Sequence, residues 1–103
     1  MDLSVIIPTY NRKDLLLYTL ESLNIKLHPN VKFEIIIVDD NSTDGTAEFV
    51  MDKFPGSVFV KNAGQGAAMA RNQGLQMSTG KYILFLDSDD IIGPGFFGRK
   101  FFF

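Results

Sequence analysis

Three carboxylates stand close together in the stretch YILFLDSDDII, residues 82–92. Asp87, Asp89 and Asp90 follow the apolar run Tyr82–Leu86 directly. Like charges at this spacing repel one another, and at a strand's end they do not complement a helix dipole. A divalent cation relieves the repulsion, and hard oxygen donors suit Mg²⁺ or Mn²⁺. The stretch therefore predicts a metal site, with a solvated acidic turn as the structural alternative.

A second acidic group ends the apolar run FEIIIV, where the chain continues as VDDNSTDGT, residues 38–46. A turn followed by a helix cap explains its Ser, Thr and Gly residues. A calcium loop also matches its first half, but Met51 stands where such a loop needs Glu and no helix precedes it. Neither interpretation requires two adjacent acids, so Asp39 and Asp40 are candidate site residues.

Two further stretches carry weaker signals. The stretch NAGQGAAMARNQG, residues 62–74, has a GxG at a predicted helix start. It follows the third strand and lacks a third glycine, so it does not predict a dinucleotide site; its free amides favour an anion. Arg71 faces either solvent or a phosphate. Tyr10, after Pro8, either stacks on a base or covers the core.

Four apolar runs alternate with three helical patterns and so predict the elements that position these residues. The predicted strands are Leu3–Ile7, Phe33–Val38, Val58–Val60 and Tyr82–Leu86. The first helix is predicted from about Arg12 to Ile25, with Asn11 as its N-cap. The buried stripes of the second and third helices are predicted as Ala47, Val50, Met51 and Phe54, and as Ala67, Ala70, Gly74 and Met77.

This alternation predicts an α/β fold, an open and mostly parallel sheet with helices on both faces. Right-handed crossovers favour strand order 3-2-1-4. Ligands in such sheets bind beyond the carboxyl ends of the strands, where the order reverses. We therefore expect PTYN, after the first strand, to lie beside DSDD, after the fourth.

Composition limits the remaining possibilities. The chain has 103 residues, 46% of them hydrophobic, and a net charge of −2. One modest globular domain is expected, with no nucleic-acid partner. The absence of cysteine excludes disulfides and thiolate metal sites. Neither a signal peptide nor a run long enough to span a membrane is found in the sequence.

Four stretches together resemble glycosyltransferase family 2, whose members have the GT-A fold. They are LSVIIPTYNR, FEIIIVDDNSTDGT, NAGQGAAMARNQGL and GKYILFLDSDD, and they occur in the family's order and spacing over residues 3–92. The resemblance implies a nucleotide pocket in which Asp40 contacts the base and Asp87 lies towards the ribose. The residues implied in nucleotide binding are Pro8, Tyr10, Asp39, Asp40, Arg71 and Asp87. Asp89 is implied as the main metal ligand, supported by Asp87 and Asp90.

The resemblance also implies the substrates. The donor is a nucleotide-diphosphate sugar, with a UDP-sugar favoured, and its sugar passes with inversion to a hydroxyl of an acceptor sugar or lipid. In the family, the general base lies in a C-terminal half that residues 1–92 do not include. We therefore expect a donor-binding half that is incomplete for catalysis alone. We expect it in the cytoplasm, or at the cytoplasmic face of a membrane.

The tail GPGFFGRKFFF, residues 93–103, departs from the family pattern. Three interpretations stay open: it covers a sheet edge, it mediates self-association, or it is an aberrant end, which its lack of periodicity favours. The phenylalanines that would mediate association are Phe96, Phe97, Phe101, Phe102 and Phe103.

Other functions remain as alternatives. One is an inactive truncated fragment with only a structural or interaction role. A phosphatase of the haloacid-dehalogenase type matches Asp87-x-Asp89, but its signature belongs on the first strand. A receiver domain needs acids after the first strand, where Pro8 stands.

Overall fold

The computed structural model of the chain describes residues 1–26 and 31–87. Strands and helices alternate along these residues, as the sequence predicts. They are β1 (Leu3–Thr9), α1 (Lys13–Lys26), β2 (Phe33–Asp39), α2 (Thr46–Lys53), β3 (Val58–Lys61), α3 (Gly66–Met77) and β4 (Tyr82–Phe85). Among the described helices, none is long and apolar enough to cross a membrane.

The four strands form one sheet in the order β3-β2-β1-β4, and every pair is parallel. The predicted fold class and strand order are thus confirmed. The order reverses between β1 and β4, so the carboxyl ends of these two strands adjoin. This is the position at which open α/β sheets leave a crevice.

Pro8 limits the pairing of β1 with β4 beside that crevice. Within residues 1–26 and 31–87, the last bond between β1 and β4 runs from the Leu86 N–H to the Ile6 carbonyl. Alternate residues of a strand bond to the same neighbouring strand, so Pro8 is the next β1 residue directed at β4. Because proline has no N–H, it donates no bond to β4 there. Towards β2 the ladder continues, with Thr9 opposite Asp39.

The core has two layers, one on each face of the sheet. The larger layer packs α1 and α2 on the odd-numbered side chains of β1 and β2, and α3 packs on the other face. The larger layer contains Leu3, Val5, Ile7, Leu16, Leu20, Leu23, Ile35, Ile37, Val50, Leu84 and Leu86. The smaller one contains Ile36, Val38 and Ala70. Helices on both faces are therefore confirmed.

The buried stripes of α2 and α3 are narrower than predicted. In α2, Thr46 and Val50 are buried one turn apart, whereas Met51 is 65% exposed because it lies one step around the helix from that face. In α3, Ala70 and Gly74 are buried, but Met77 is 38% exposed. The predictions for Met51 and Met77 are wrong, as is that for Ala67, which is exposed.

Gly74 brings α3 close to the sheet, as its small-residue stripe predicts. A Cβ at this position would lie 2.5 Å from Ile6 Cγ2 and 3.4 Å from Val38 Cγ2. Two β-branched side chains of β1 and β2 thus occupy the space that any other residue would need.

The predictions for Asp89, Asp90 and the Phe-rich tail concern residues that lie outside the described part of the chain.

Candidate functional site

A cavity of about 280 Å³ lies at the carboxyl ends of the strands, where the strand order reverses. It is lined by Pro8, Thr9, Tyr10, Arg12, Asp40, Ala67, Ala70 and Asp87. The loop after β1 and the chain after β4 therefore meet in one site, as expected from the topology. Four of the six predicted nucleotide-binding residues share this lining.

Asp40 lines the cavity and also holds the start of α3. Its Oδ2 accepts a hydrogen bond from the Gly66 N–H at 3.1 Å, and its Oδ1 accepts one from Asn62 Nδ2 at 3.2 Å. A carboxylate at a helix N-terminus is stabilised by the free amides and the helix dipole. Asp40 is half-buried, so its position is set by the fold while part of its surface faces the cavity.

Asp39 has a different environment from its neighbour. It is 3% exposed and is not among the residues that line the cavity. Its Oδ2 accepts the Ser42 N–H at 2.9 Å and its Oδ1 accepts the Ser42 hydroxyl at 2.5 Å. These bonds form the turn after β2, so Asp39 supports the loop that carries Asp40. A contact between Asp39 and a nucleotide stays a prediction.

Asn11 joins the loop after β1 to the loop after β2. Its backbone is left-handed, with φ of 48°, and its Oδ1 accepts the Thr43 N–H at 2.7 Å. In return, the Asn11 N–H donates to Ser42 Oγ at 2.8 Å. Asn11 does not cap α1, so that prediction is wrong. The side chain is used across the loops instead, which holds Tyr10 beside Asp40.

Asp44 caps the starts of two helices. Its Oδ2 accepts the Lys13 N–H of α1 at 3.1 Å, and its Oδ1 accepts the N–H and hydroxyl of Thr46 in α2. Burial tends to raise the pKa of this carboxyl, but the hydrogen bonds from Thr46 and Lys13 outweigh it and lower the pKa below its ordinary value. Asp44, in the loop after β2, thus provides the cap of α1 that the sequence predicted for Asn11.

Arg71 reaches the site from α3 and contacts Asp87. Its Nη2 lies 3.5 Å from Asp87 Oδ1, with the two side chains 39% and 67% exposed. An exposed ion pair of this length contributes little to stability. Arg71 can therefore turn from Asp87 to a ligand at small cost.

Sequence analysis missed three polar residues of this region. Thr9 and Arg12 line the cavity and lie in the same PTYNR stretch as Tyr10, so their position was the signal. Asn62 directly follows β3 and donates to both Asp40 and the Gly66 carbonyl. The hydroxyl of Thr9 is buried, and within residues 1–26 and 31–87 it has no hydrogen-bond partner. A buried hydroxyl without a partner is costly, typically about 1–3 kcal/mol.

The metal prediction can be compared with the described residues only in part. Within them, no cluster of three His, Cys, Asp or Glu side chains could hold an ion by itself. Asp87 fits such an ion chemically, since it offers exposed carboxylate oxygens beside the cavity. Mg²⁺ commonly takes only one or two protein carboxylates and completes its shell with water and phosphate. Asp89 and Asp90 lie outside the described residues.

A parallel α/β sheet with polar residues gathered at its order reversal defines the class of Rossmann-like nucleotide-binding folds. A family model described as glycosyl transferase family 2 matches residues 4–99, and the chain belongs to that family. This confirms the resemblance found from the four sequence stretches.

Relatives and solved structures agree with the family assignment. An uncharacterized glycosyltransferase of Rickettsia felis is 44% identical over 90 residues, which are 85% of this chain and 15% of that protein. A crystal structure of Staphylococcus aureus TarS 1–349 matches with a TM-score of 0.83 and 33% identity, over 95% of this chain and 30% of the TarS 1–349 chain. TarS has also been solved in complex with UDP and with UDP-GlcNAc.

A third similar protein is the mannosyltransferase PcManGT of Pyrobaculum calidifontis, solved with GDP-Man and Mn²⁺. Its TM-score is 0.74 at 30% identity, covering 86% of this chain and 28% of that one. The chain therefore spans less than a third of the length of each of these three proteins.

Proposed function

We propose that the chain binds a nucleoside-diphosphate sugar, with a UDP-sugar favoured, in the cavity between the ends of β1 and β4. The observation that carries the proposal is the shared lining, in which Pro8, Tyr10, Asp40 and Asp87 meet. These residues come from three strand ends that are far apart in the sequence. The nucleotide complexes of TarS support this choice of ligand.

Each of these residues has a chemical role in the proposal. Tyr10, 56% exposed, offers a ring face on which a base can stack. Asp40 accepts a hydrogen bond from the base while α3 holds it in place. Arg71 turns from Asp87 to the phosphates, where a guanidinium forms charge-assisted hydrogen bonds. Asp39 supports this arrangement from the turn below Asp40.

We assign the metal to Asp89, with Asp87 and Asp90 supporting, and the ion to Mn²⁺ or Mg²⁺. The Mn²⁺ complex of PcManGT supports this assignment. A bound divalent ion supplies Lewis-acid neutralisation of the charge on a departing diphosphate. Asp87 is suited to the shared position because it reaches both the cavity and the Arg71 guanidinium.

The complete reaction in this proposal is inverting transfer of the sugar to a hydroxyl of an acceptor sugar or lipid, in the cytoplasm or at the cytoplasmic membrane face. The acceptor site and general base are assigned to regions that relatives have beyond the matched part, so residues 1–92 alone bind donor without rapid transfer. Self-association through the phenylalanines of residues 93–103 is a separate part of the proposal.

Calorimetry with UDP and GDP, with and without Mn²⁺, tests the binding proposal. We expect Mn²⁺-dependent heat for UDP, and at least about tenfold weaker binding for Asp87→Asn. Asp52→Asn is the matched control, because this exposed acid of α2 is not among the cavity residues. Absence of metal-dependent heat with both nucleotides would overturn the binding proposal. Rapid sugar transfer by the chain alone would contradict the proposal that it is incomplete for catalysis.

A further inference from the structure

Glu34 carries a second carboxylate network, at the opposite end of the sheet from the cavity. Its Oε2 accepts three hydrogen bonds: from Ser4 Oγ at 2.5 Å, from the Thr79 N–H at 2.7 Å and from Thr79 Oγ1 at 2.9 Å. Glu34 lies in β2 directly opposite Ser4 in β1. Thr79 belongs to the short connection between α3 and β4. One oxygen atom thus ties two strands to the segment that leads into the fourth.

The same connection is held tightly at the next residue. The Gly80 N–H donates to Ser4 Oγ at 2.7 Å, and Ser4 is fully buried. A Cβ on Gly80 would lie 2.6 Å from Ser4 Oγ and 2.7 Å from the Leu3 carbonyl carbon. The chain therefore passes against the β1 backbone at a distance that only glycine permits. The hydroxyl of Ser4 accepts from Gly80 and donates to Glu34, so the three groups form one chain of hydrogen bonds.

This network lies immediately before the β1–β4 ladder begins. The Lys81 and Tyr82 amides donate to the Met1 and Asp2 carbonyls, after which Tyr82 pairs with Leu3. The ladder then runs without interruption to the Leu86 N–H. Whatever fixes Thr79 and Gly80 along β1 therefore fixes every later residue of β4.

Register decides on which face of the sheet Asp87 emerges. Leu84 and Leu86 belong to the core layer under α1, and the alternate residues face α3, where Arg71 contacts Asp87. A slip by one residue reverses every side chain of a strand. It would turn the Asp87 position towards the leucine core and move Leu86 to the cavity side.

We propose that Glu34 is a positioning residue for the nucleotide site: through Ser4, Thr79 and Gly80 it sets the register of β4 on β1, and thereby the place of Asp87. The inference rests on the proposed function for its binding consequence, but the register itself does not depend on any ligand. β4 forms only four parallel pairs with β1, so contacts outside this short ladder are needed to fix its register.

The test uses Glu34→Ala, Glu34→Gln and Thr79→Val, with Val50→Ala as the control. Val50 is buried in the core layer on the other face, so its truncation lowers global stability without touching the network. Thr79 is exposed and Val keeps its shape, so this variant removes one hydroxyl donor with little risk to folding. Two quantities are measured: amide hydrogen exchange and the dissociation constant for UDP with Mn²⁺.

We expect Glu34→Ala to accelerate exchange of the Tyr82 and Leu86 amides at least about tenfold relative to the Asn62 amide, which is bonded to Asp39 at the end of β2. UDP binding weakens by about tenfold in Glu34→Ala. Both effects are smaller in Glu34→Gln, which keeps an acceptor oxygen, and in Thr79→Val. Val50→Ala changes neither the exchange ratio nor the affinity of the folded protein.

Equal exchange ratios in Glu34→Ala, Thr79→Val and Val50→Ala would overturn the register role. If Glu34→Ala alters the exchange ratio but binds UDP with wild-type affinity, the claim that the β4 register positions the nucleotide site is overturned. If the wild-type protein binds no nucleotide, the proposed function fails, and the exchange ratios alone still decide whether Glu34 sets the register.

Discussion

Asp39 and Asp40 are adjacent in the chain but serve different parts of the molecule. Successive residues at the end of a strand point in opposite directions, so one acid turns to the Ser42 loop and the other to the cavity and α3. The sequence indicates that two acids at this point are unusual. It does not indicate which of them is available to a ligand, because this depends on where Ser42 and Gly66 are placed.

Arg71 allows ligand binding to be separated from stability at a single residue. Because its ion pair with Asp87 is exposed, we expect Arg71→Ala to change the free energy of unfolding by less than about 0.5 kcal/mol. UDP affinity should fall about tenfold, since a charge-assisted phosphate contact is lost. Urea denaturation and calorimetry measure the two effects.

Lys53→Ala is the control for Arg71→Ala, because it removes an exposed cation from the last turn of α2. Arg71→Lys should lie between the wild type and Arg71→Ala, because an ammonium keeps the charge but loses the planar donor pair. Equal UDP affinity in Arg71→Ala and Lys53→Ala would contradict a phosphate role.

At the scale of elements, the alternation of strands and helices was predictable because hydrophobic periodicity and β-branched runs act locally. Each predicted strand starts at the observed residue, and the order follows from crossover geometry. Caps were not predictable in the same way. Asp44 is 31 residues from the Lys13 amide that it accepts, so no local pattern indicates the pair.

The double cap at Asp44 predicts an acid-sensitive contact between α1 and α2. Because its folded pKa lies below the ordinary value of 3.8, the ionised carboxylate stabilises the fold. This stabilisation is complete above the pKa of the unfolded chain and is lost as the pH falls through the lowered, folded pKa. Thermal denaturation from neutral pH to about pH 3 should therefore show a smaller loss for Asp44→Asn than for the wild type.

Asn72→Ala serves as the control, since it removes an exposed, uncharged side chain of α3 and touches neither cap. The pH dependence of its stability should follow the wild type. If the stability of Asp44→Asn depends on pH as strongly as that of the wild type, the charge on Asp44 does not stabilise the two caps.

Gly74 sets how closely α3 approaches the sheet. Alanine normally stabilises an exposed helical position by about 1 kcal/mol relative to glycine. At Gly74 we expect the opposite sign, because the new Cβ would overlap Ile6 Cγ2 and force the helix outward. A loss of about 1–3 kcal/mol in the free energy of unfolding is expected from urea denaturation.

Asn72→Ala in the same helix is the matched control, since this side chain is exposed and the substitution should be neutral or slightly stabilising. A stability gain in Gly74→Ala similar to that in Asn72→Ala would mean that α3 can shift without cost.

At the scale of the whole molecule, the cavity lies at the carboxyl ends of the strands, whereas β4, the last strand in the order of the described sheet, is partly exposed to solvent. Phe85 in β4 is 45% exposed. The phenylalanines of residues 93–103 follow soon after it in the chain. Family membership and strand order could be inferred from the sequence, but the role of Glu34 could not. It appeared there as one acid in an apolar run, and its partner Thr79 is 45 residues away.

The proposed self-association predicts a concentration-dependent state of assembly. Replacing Phe101, Phe102 and Phe103 by Ser should lower the weight-average sedimentation coefficient at high protein concentration, because the apolar surface is removed. The melting temperature should stay the same. Sedimentation velocity over a range of concentrations measures this, and Lys100→Ser is the control. Equal sedimentation coefficients of the triple variant and Lys100→Ser would contradict self-association through these phenylalanines.

The missing N–H of Pro8 has a thermodynamic consequence for any ligand of the cavity. A tertiary amide has no proton to donate at any temperature or ionic strength, so the missing bond from Pro8 to β4 is a property of the covalent chain. The cost of leaving this bond unmade arises once, when the protein folds. A ligand that enters beside Pro8 therefore does not have to break a bond from that residue, which leaves more of its interaction energy for affinity.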